Sequence, residues 1–229
     1  MARSTLTAAI ASESAALLTV TSQLTSSDLA RPSSCPPWTA AELLGHVVVA
    51  TGRIRQALAE PVDGAARLVG TADYYRPDER FSPGANADRI DAARQLAAAL
   101  GSAAAISAEL DRVSREVVGL LAAAPGDRMI RTRHGDRMLL TAFAVTRVVE
   151  LGVHGLDLAL SLDRPPWLTA QAAAVLEALL LPAGQAGELR DRFGCDQVAL
   201  IAKLTGRAPL SGPEQAILRE GDVVRLTLG

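Results

Sequence analysis

Four ionisable residues, Arg147, Glu150, His154 and Asp157, interrupt a stretch between Met138 and Ser161 that is otherwise Leu, Val, Ala, Gly, Phe and Thr. Their spacings of 3, 4 and 3 are helical: at about 100° of rotation per residue they fall within an arc of roughly 80°. Glu150 and His154 stand at i and i+4, so their side chains leave successive turns in one direction and can reach a single atom. Paired ligands in helical metal sites use this geometry, here with a carboxylate in place of one imidazole. A stripe facing water, or four charges satisfying one another as ion pairs, would use the same residues, although a solvated face is normally broader.

A third ligand has to come from another element, and the chain has three histidines. His134 lies beside Gly135 in "TRHGDR", a turn in which a solvent-exposed role is expected. His46 shares a helix side with Leu43, Ala50 and Ile54, an apolar face. Alone it would read as a core histidine with one hydrogen bond. Grouped with Glu150 and His154 it reads differently, because an ionised carboxylate and two imidazoles buried together call for a cation between them. Two nitrogens and one oxygen leave a position open for water or substrate, the pattern of a catalytic Zn²⁺ site, and the same set would accept Ni²⁺, Co²⁺ or Fe²⁺. Arg147 and Asp157, one turn to either side, are the candidate catalytic residues, placed to orient ligands or hold a substrate carboxylate. A structural ion pair is the alternative for both.

The elements that position these residues are mostly helices. Leu6, Ile10, Leu17 and Leu24 recur at helical intervals in a first helix over about 6–24, followed by a Ser/Pro-rich connecting loop. Thr39 and Glu42 form a T-x-x-E capping box, with Trp38 and Leu43 as its hydrophobic staple, opening a second helix that runs to about Ala59. Residues 60–86 are rich in Gly, Pro, Asp and Arg and read as a long loop of the kind that walls a site. A third, alanine-rich helical stretch spans about 88–123, bent near Gly101 and Ser102, and "GDRMIRTRHGDRM" makes a turn with a short extended pair. The fourth helix, about 139–162, carries the charged stripe. Beyond it the pieces shorten to helices near 170–181 and 197–204 and a strand-like "DVVRLTL". The expected fold is mainly α: a four-helix bundle over residues 1–163, its site built from side chains on facing helices, with a small C-terminal helical and strand subdomain over 164–229.

Composition narrows the class. A chain of 229 residues, about half apolar, can bury a generous core. No apolar run reaches the roughly 18 residues of a membrane span, and the first helix is punctuated by Ser, Thr and Glu13, so a cytoplasmic protein with no membrane partner is expected. A formal net charge of -2 without a Lys/Arg cluster in the sequence argues against nucleic acid. Cys35 and Cys195 match no disulfide or metal spacing, and neither is chosen as a nucleophile. Only Lys203 among the 23 basic residues is lysine, and alanine abounds, the mark of a GC-rich genome.

"WTAAELLGHVVVATGRI" around His46 and "RVVELGVHGLDLAL" around Glu150 and His154 resemble the DinB-like superfamily, specifically the mycothiol-dependent maleylpyruvate isomerase family. The likeness covers residues 1–163; beyond them only "LTGR", ending at Arg207, matches many relatives. It implies a DinB-like bundle holding zinc on His46, Glu150 and His154, with mycothiol, the thiol of actinobacteria, as co-substrate, and the lysine-poor composition fits such a source. The implied activity is that of a thiol S-transferase-like enzyme, with the thiol bound to the metal as thiolate and attacking an electrophilic small molecule. A maleylpyruvate cis-trans isomerase and a non-catalytic metal-binding bundle are the alternatives. Arg207 and Arg225 are candidate substrate-binding arginines, with structural roles as the alternative, and the oligomeric state is left open.

Overall fold

The computed structural model describes residues 1–76, 82–221, 223, 225 and 226. Helices α1 (Arg3–Thr21), α2 (Ser26–Leu29), α3 (Ala40–Ala59), α4 (Thr71–Tyr74), α5 (Pro83–Leu100) and α6 (Ala103–Ala123) precede a hairpin of β1 (Met129–Arg131) and β2 (Arg137–Leu139). Helices α7 (Leu140–Ser161), α8 (Ala170–Leu180), α9 (Gln185–Phe193), α10 (Gln197–Leu204) and α11 (Gly212–Glu220) follow. The bundle is α1, α3, α6 and α7. Helix α1 packs on α6 and α7, while α3 packs on α6, α7 and the additional α5. The architecture is mainly α, as the periodicity predicts.

Thr39 starts α3 as expected: its hydroxyl accepts from the Glu42 amide at 3.3 Å, and the Glu42 carboxylate accepts from the Thr39 amide at 2.8 Å. Glu42 also faces Arg94 of α5 at 3.3 Å, so the cap ties two helices. The third helical stretch is two helices rather than one bent one. Gly101 takes φ 68°, a left-handed conformation that ends α5, and Ser102 caps α6 by accepting from the Ala105 amide at 3.2 Å. Helix α5 also begins earlier than expected, at Pro83 behind the Ser82 cap. Two short helices, α2 and α4, sit inside segments read as loops, where four residues are too few for periodicity to register.

The extended pair is a true hairpin: Met129 pairs with Leu139 and Arg131 with Arg137, with Ile130 and Met138 fully buried. Arg137 is also pinned on its other edge, its amide donating to the Arg67 carbonyl at 2.9 Å and its carbonyl accepting from the Val69 amide at 3.0 Å. These bonds fix the long segment after α3 so that Tyr74 and Tyr75 turn inward, both only 9% exposed.

In the C-terminal segment, α8 packs on α1 and α7, and α10 packs on α8. Glu13 of α1 is fully buried and accepts from the amide and hydroxyl of Thr169, the residue that caps α8, at 2.8 and 2.7 Å. Burial pushes the Glu13 carboxyl up, against the pull of those bonds. The segments 185–193 and 212–220, not assigned from the sequence, are helical; Gly184 enters the first in a left-handed conformation, and Ser211 opens the second with a capping box to Glu214. Most of the expected terminal strand, 222–228, lies outside the described residues; within it the Leu226 amide donates to the Leu204 carbonyl at 3.1 Å. No helix among the described residues is long and apolar enough to cross a membrane.

The close approach of α3 and α5 depends on Gly45: a Cβ there would lie 2.6 Å from the Ala93 carbonyl oxygen. Backbone cannot yield as a side chain can, so Gly45→Ala is expected to cost about 1–3 kcal/mol and lower the melting temperature by several degrees. Gly152→Ala, whose Cβ would meet only the side-chain tips of Leu168 and Leu176 at 2.9 and 3.1 Å, is expected to cost less. Thermal melting of both variants by circular dichroism checks this order, and a Gly45→Ala protein as stable as the parent would contradict the packing described.

Candidate metal centre and its cavity

Helices α3 and α7 face each other antiparallel, as two cross-contacts fix: His46 meets Glu150, and the Ala50 carbonyl meets Arg147. The register brings the three expected ligands together. His46 Nε2 lies 3.1 Å from Glu150 Oε2, and His154 Nε2 lies 3.3 Å from the same oxygen. One potential donor atom from each of the three lies within 4.8 Å of the other two. The stripe on α7 therefore does not face water. Arg147 and Asp157 are 2% exposed and His154 is 9% exposed.

Each ligand is oriented by a second contact. The His46 ring stacks on Trp38, the residue before the α3 cap, with centroids 4.6 Å apart, and meets His154 edge-on at 4.9 Å. His154 Nδ1 lies 2.9 Å from Asp157 Oδ2, which turns Nε2 toward Glu150. Asp157 is held in turn by a bidentate bond from Arg207, Nε to Oδ1 at 2.9 Å and Nη2 to Oδ2 at 3.0 Å. Arg147 donates to the Ala50 carbonyl at 2.5 Å, with its guanidinium 4.6 Å from the Phe143 ring centre and 3.6 Å from Glu150 Oε1. Asp157 thus meets His154, Arg147 meets Glu150, and Arg207 is engaged with Asp157 from the loop after α10.

The protonation states follow from these neighbours. Burial holds the His46 imidazole down at about 4, against the opposing pull of Glu150, so it is neutral near pH 7. Burial pushes the Glu150 carboxyl up, but hydrogen bonds with His154 and His46 and the Arg147 charge outweigh it and hold the group well below the usual carboxylate range. Burial likewise pulls His154 down, yet bonding with Asp157, Cys35 and Glu150 holds it well above an ordinary imidazole. The result is an anionic carboxylate between one neutral and one protonated imidazole. A divalent cation fits this donor set: it would take the place of the His154 proton and give Glu150 a counter-charge. The second group of potential ligands, Cys35, His154 and Asp157, also lies within 4.8 Å. It fits less well, because Asp157 is already committed to Arg207 and to His154 Nδ1.

The triad opens on a cavity of about 760 Å³. Its lining includes Cys35, Pro36, Pro37, Thr205 and Gly206, together with Tyr74, Arg53, Arg89, Arg133 and His134. Sequence reasoning missed Cys35, whose place in a Ser/Pro loop gives no periodic signal. It also left His134 at the surface. The structure places it half-buried in the cavity wall, its ring 5.8 Å from Tyr74, because the hairpin folds back over α4. Arg53 was legible in principle, since it stands seven residues after His46 and shares its face of α3.

Comparison with known proteins identifies the family. The profile described as the mycothiol maleylpyruvate isomerase N-terminal domain matches residues 10–159, well over half of the chain. The crystal structure of the mycothiol-dependent maleylpyruvate isomerase superposes with a TM-score of 0.51 at 12% identity, covering 82% of this chain and 73% of that one, which is a likeness of fold. No curated protein matches by sequence. With the profile spanning both α3 and α7, the chain belongs to the mycothiol maleylpyruvate isomerase N-terminal domain family.

Proposed function

We propose that this protein is a metal-dependent enzyme that uses mycothiol as its co-substrate and joins the thiol sulfur to an electrophilic carbon of a small molecule, as an S-transferase does, the thiol proton passing to solvent and the leaving group departing with its bonding pair. The observation that carries the reading is the convergence of His46, Glu150 and His154 on the floor of an open cavity. His46, Glu150 and His154 would hold the ion, with zinc expected from the donor types. When bound, such an ion supplies a positive charge that favours thiolate over thiol near neutral pH.

The chain's own groups do the rest. Asp157 keeps a proton on His154 Nδ1 and so leaves Nε2 free to act as a donor, while Arg207 keeps Asp157 ionised and still. Trp38 fixes the plane of His46. Arg147, tied to the Ala50 carbonyl, helps to hold Glu150 charged. Both Arg147 and Asp157 are positioning residues in this account. Tyr75 donates to the Thr146 carbonyl at 3.2 Å and, with burial pushing its phenol well up, stays protonated.

Isomerisation is the second reading, favoured by the name of the matching family. There the sulfur adds to a conjugated cis double bond, the resulting single bond rotates, and the sulfur leaves. A closed, non-catalytic bundle is disfavoured by the size of the cavity beside the triad.

Metal analysis of the purified protein is expected to give about one zinc per chain. Conjugation of mycothiol to chlorodinitrobenzene is expected to stop with chelator and return with zinc; conjugation indifferent to chelator would refute the proposal. Conversion of a cis acid to its trans form without consumption of thiol would assign the isomerase reading. Asp157→Asn is expected to weaken zinc affinity about 10–100-fold, measured by competition with a chromophoric chelator. An unchanged affinity would remove Asp157 from its role.

A further inference from the structure

The two tyrosines of the chain stand side by side at the end of α4, and the fold treats their hydroxyls differently. Tyr75 donates to the Thr146 carbonyl at 3.2 Å. The Tyr74 hydroxyl has no hydrogen-bond partner among the described residues. Yet Tyr74 is only 9% exposed, and it lines the cavity that holds the triad. A largely buried polar group that makes no bond has given up its water for nothing in return, so its presence calls for an explanation.

Packing rather than hydrogen bonding holds the Tyr74 ring. It meets Tyr75 edge-on at 5.4 Å between centroids, and His134 and Phe143 at 5.8 Å each. The Arg147 guanidinium carbon lies 6.0 Å from its centre. The backbone beneath the ring is fixed as well: the Thr71 hydroxyl donates to the Ala142 carbonyl of α7 at 3.1 Å, and the Tyr74 amide donates to the Gly70 carbonyl at 3.1 Å. A ring clamped in this way aims its hydroxyl before any ligand arrives, which is the condition for a donor that needs no reorganisation during reaction.

Arg147 also relates this donor to the triad. Its guanidinium reaches Glu150 Oε1 at 3.6 Å, so one guanidinium separates the Tyr74 ring from the ligand set. Arg53 and Arg89, which line the same cavity, feel the Tyr74 phenol electrostatically, which sets the phenol on the cavity side of α4.

Thiol chemistry at the triad supplies the missing acceptor. When a thiolate adds to a conjugated carbon, a sulfur lone pair makes the C–S bond, and the displaced π pair moves to an oxygen at the far end of the conjugated system. That carbonyl or nitro oxygen becomes anionic, and a hydrogen bond to it strengthens as the charge builds. The pair returns when the leaving group departs, or when the sulfur itself leaves, and the donor keeps its proton throughout.

We infer that Tyr74 is a catalytic residue whose hydroxyl donates a hydrogen bond to this developing oxyanion. The inference rests on thiol addition, the step shared by the transferase and isomerase readings above, and holds for either of them.

The test compares zinc-loaded, full-length parent and Tyr74→Phe proteins; phenylalanine keeps the ring contacts and removes only the oxygen. With mycothiol and chlorodinitrobenzene, kcat is expected to fall about 100-fold. The KM for mycothiol, the zinc content and the melting temperature are expected to stay close to those of the parent, since the hydroxyl has no partner in the fold. Trinitrobenzene, which has no leaving group, takes up the thiolate as a coloured anionic adduct. The formation constant of that adduct on the protein, read from visible absorbance, is expected to fall at least about tenfold in the variant. An adduct as stable on the variant as on the parent overturns the inference and leaves the thiol-transfer reading standing. A variant that melts far below the parent also overturns it, because the hydroxyl would then be holding the fold. A parent that neither conjugates chlorodinitrobenzene nor forms the adduct refutes the thiol-transfer reading, and the inference with it.

Discussion

Glu150 is an ionised carboxylate on the floor of a cavity in an otherwise apolar bundle, and the surrounding structure is arranged to make that tolerable. Leaving such a group without a partner would cost several kcal/mol, and partners must arrive with their donors already aimed. One comes from the same helix a turn later, His154, and one from the facing helix, His46, both within 3.3 Å of a single oxygen. This fixes the register of α3 against α7, since a one-turn slip would separate His46 from Glu150 and Arg147 from the Ala50 carbonyl together. The account of function depends on the same oxygen, because a carboxylate shared by two imidazoles is the arrangement that a divalent cation completes.

The outer contacts extend this constraint to parts of the chain remote in sequence. The matched family profile ends at residue 159, but Asp157 is gripped by Arg207, 50 residues further on. The C-terminal helices dock through α8 on α1 and α7 and through Arg207 on Asp157, the residue that contacts His154. The hairpin and the segment after α3 are stitched together through Arg137, and they carry Arg133, Tyr74 and Tyr75 to the cavity wall. The triad thus shares its cavity with Cys35 from the loop before α3 and with Arg133 from the hairpin turn.

What the sequence made legible was local. The stripe on α7 and the Thr39–Glu42 box are patterns within one or two turns, and helical geometry fixes them wherever the helix packs. The pairing of His46 with that stripe was reached by chemical necessity and by a family resemblance, not by periodicity. The unread features depend on contacts across the fold. Gly101 separates two helices because α5 and α6 each have their own surface to cover, whereas a composition rich in alanine reads as one continuous rod. Cys35 comes near His154 through the path of a proline-rich loop, and His134 turns inward because of how the hairpin sits. Arg53, Arg89 and Arg133 belong to three elements, so a search for runs of basic residues passes over them.

Two donor sets share His154 in this structure, and they differ in sulfur: His46, Glu150 and His154 offer none, whereas Cys35, His154 and Asp157 offer one. X-ray absorption at the zinc edge of the metal-loaded protein, before any thiol is added, separates them directly. The account predicts a first shell of nitrogen and oxygen with the outer-shell scattering of two imidazoles, lost in part in His46→Ala. A sulfur neighbour at about 2.3 Å, or a protein that retains no zinc, would contradict it.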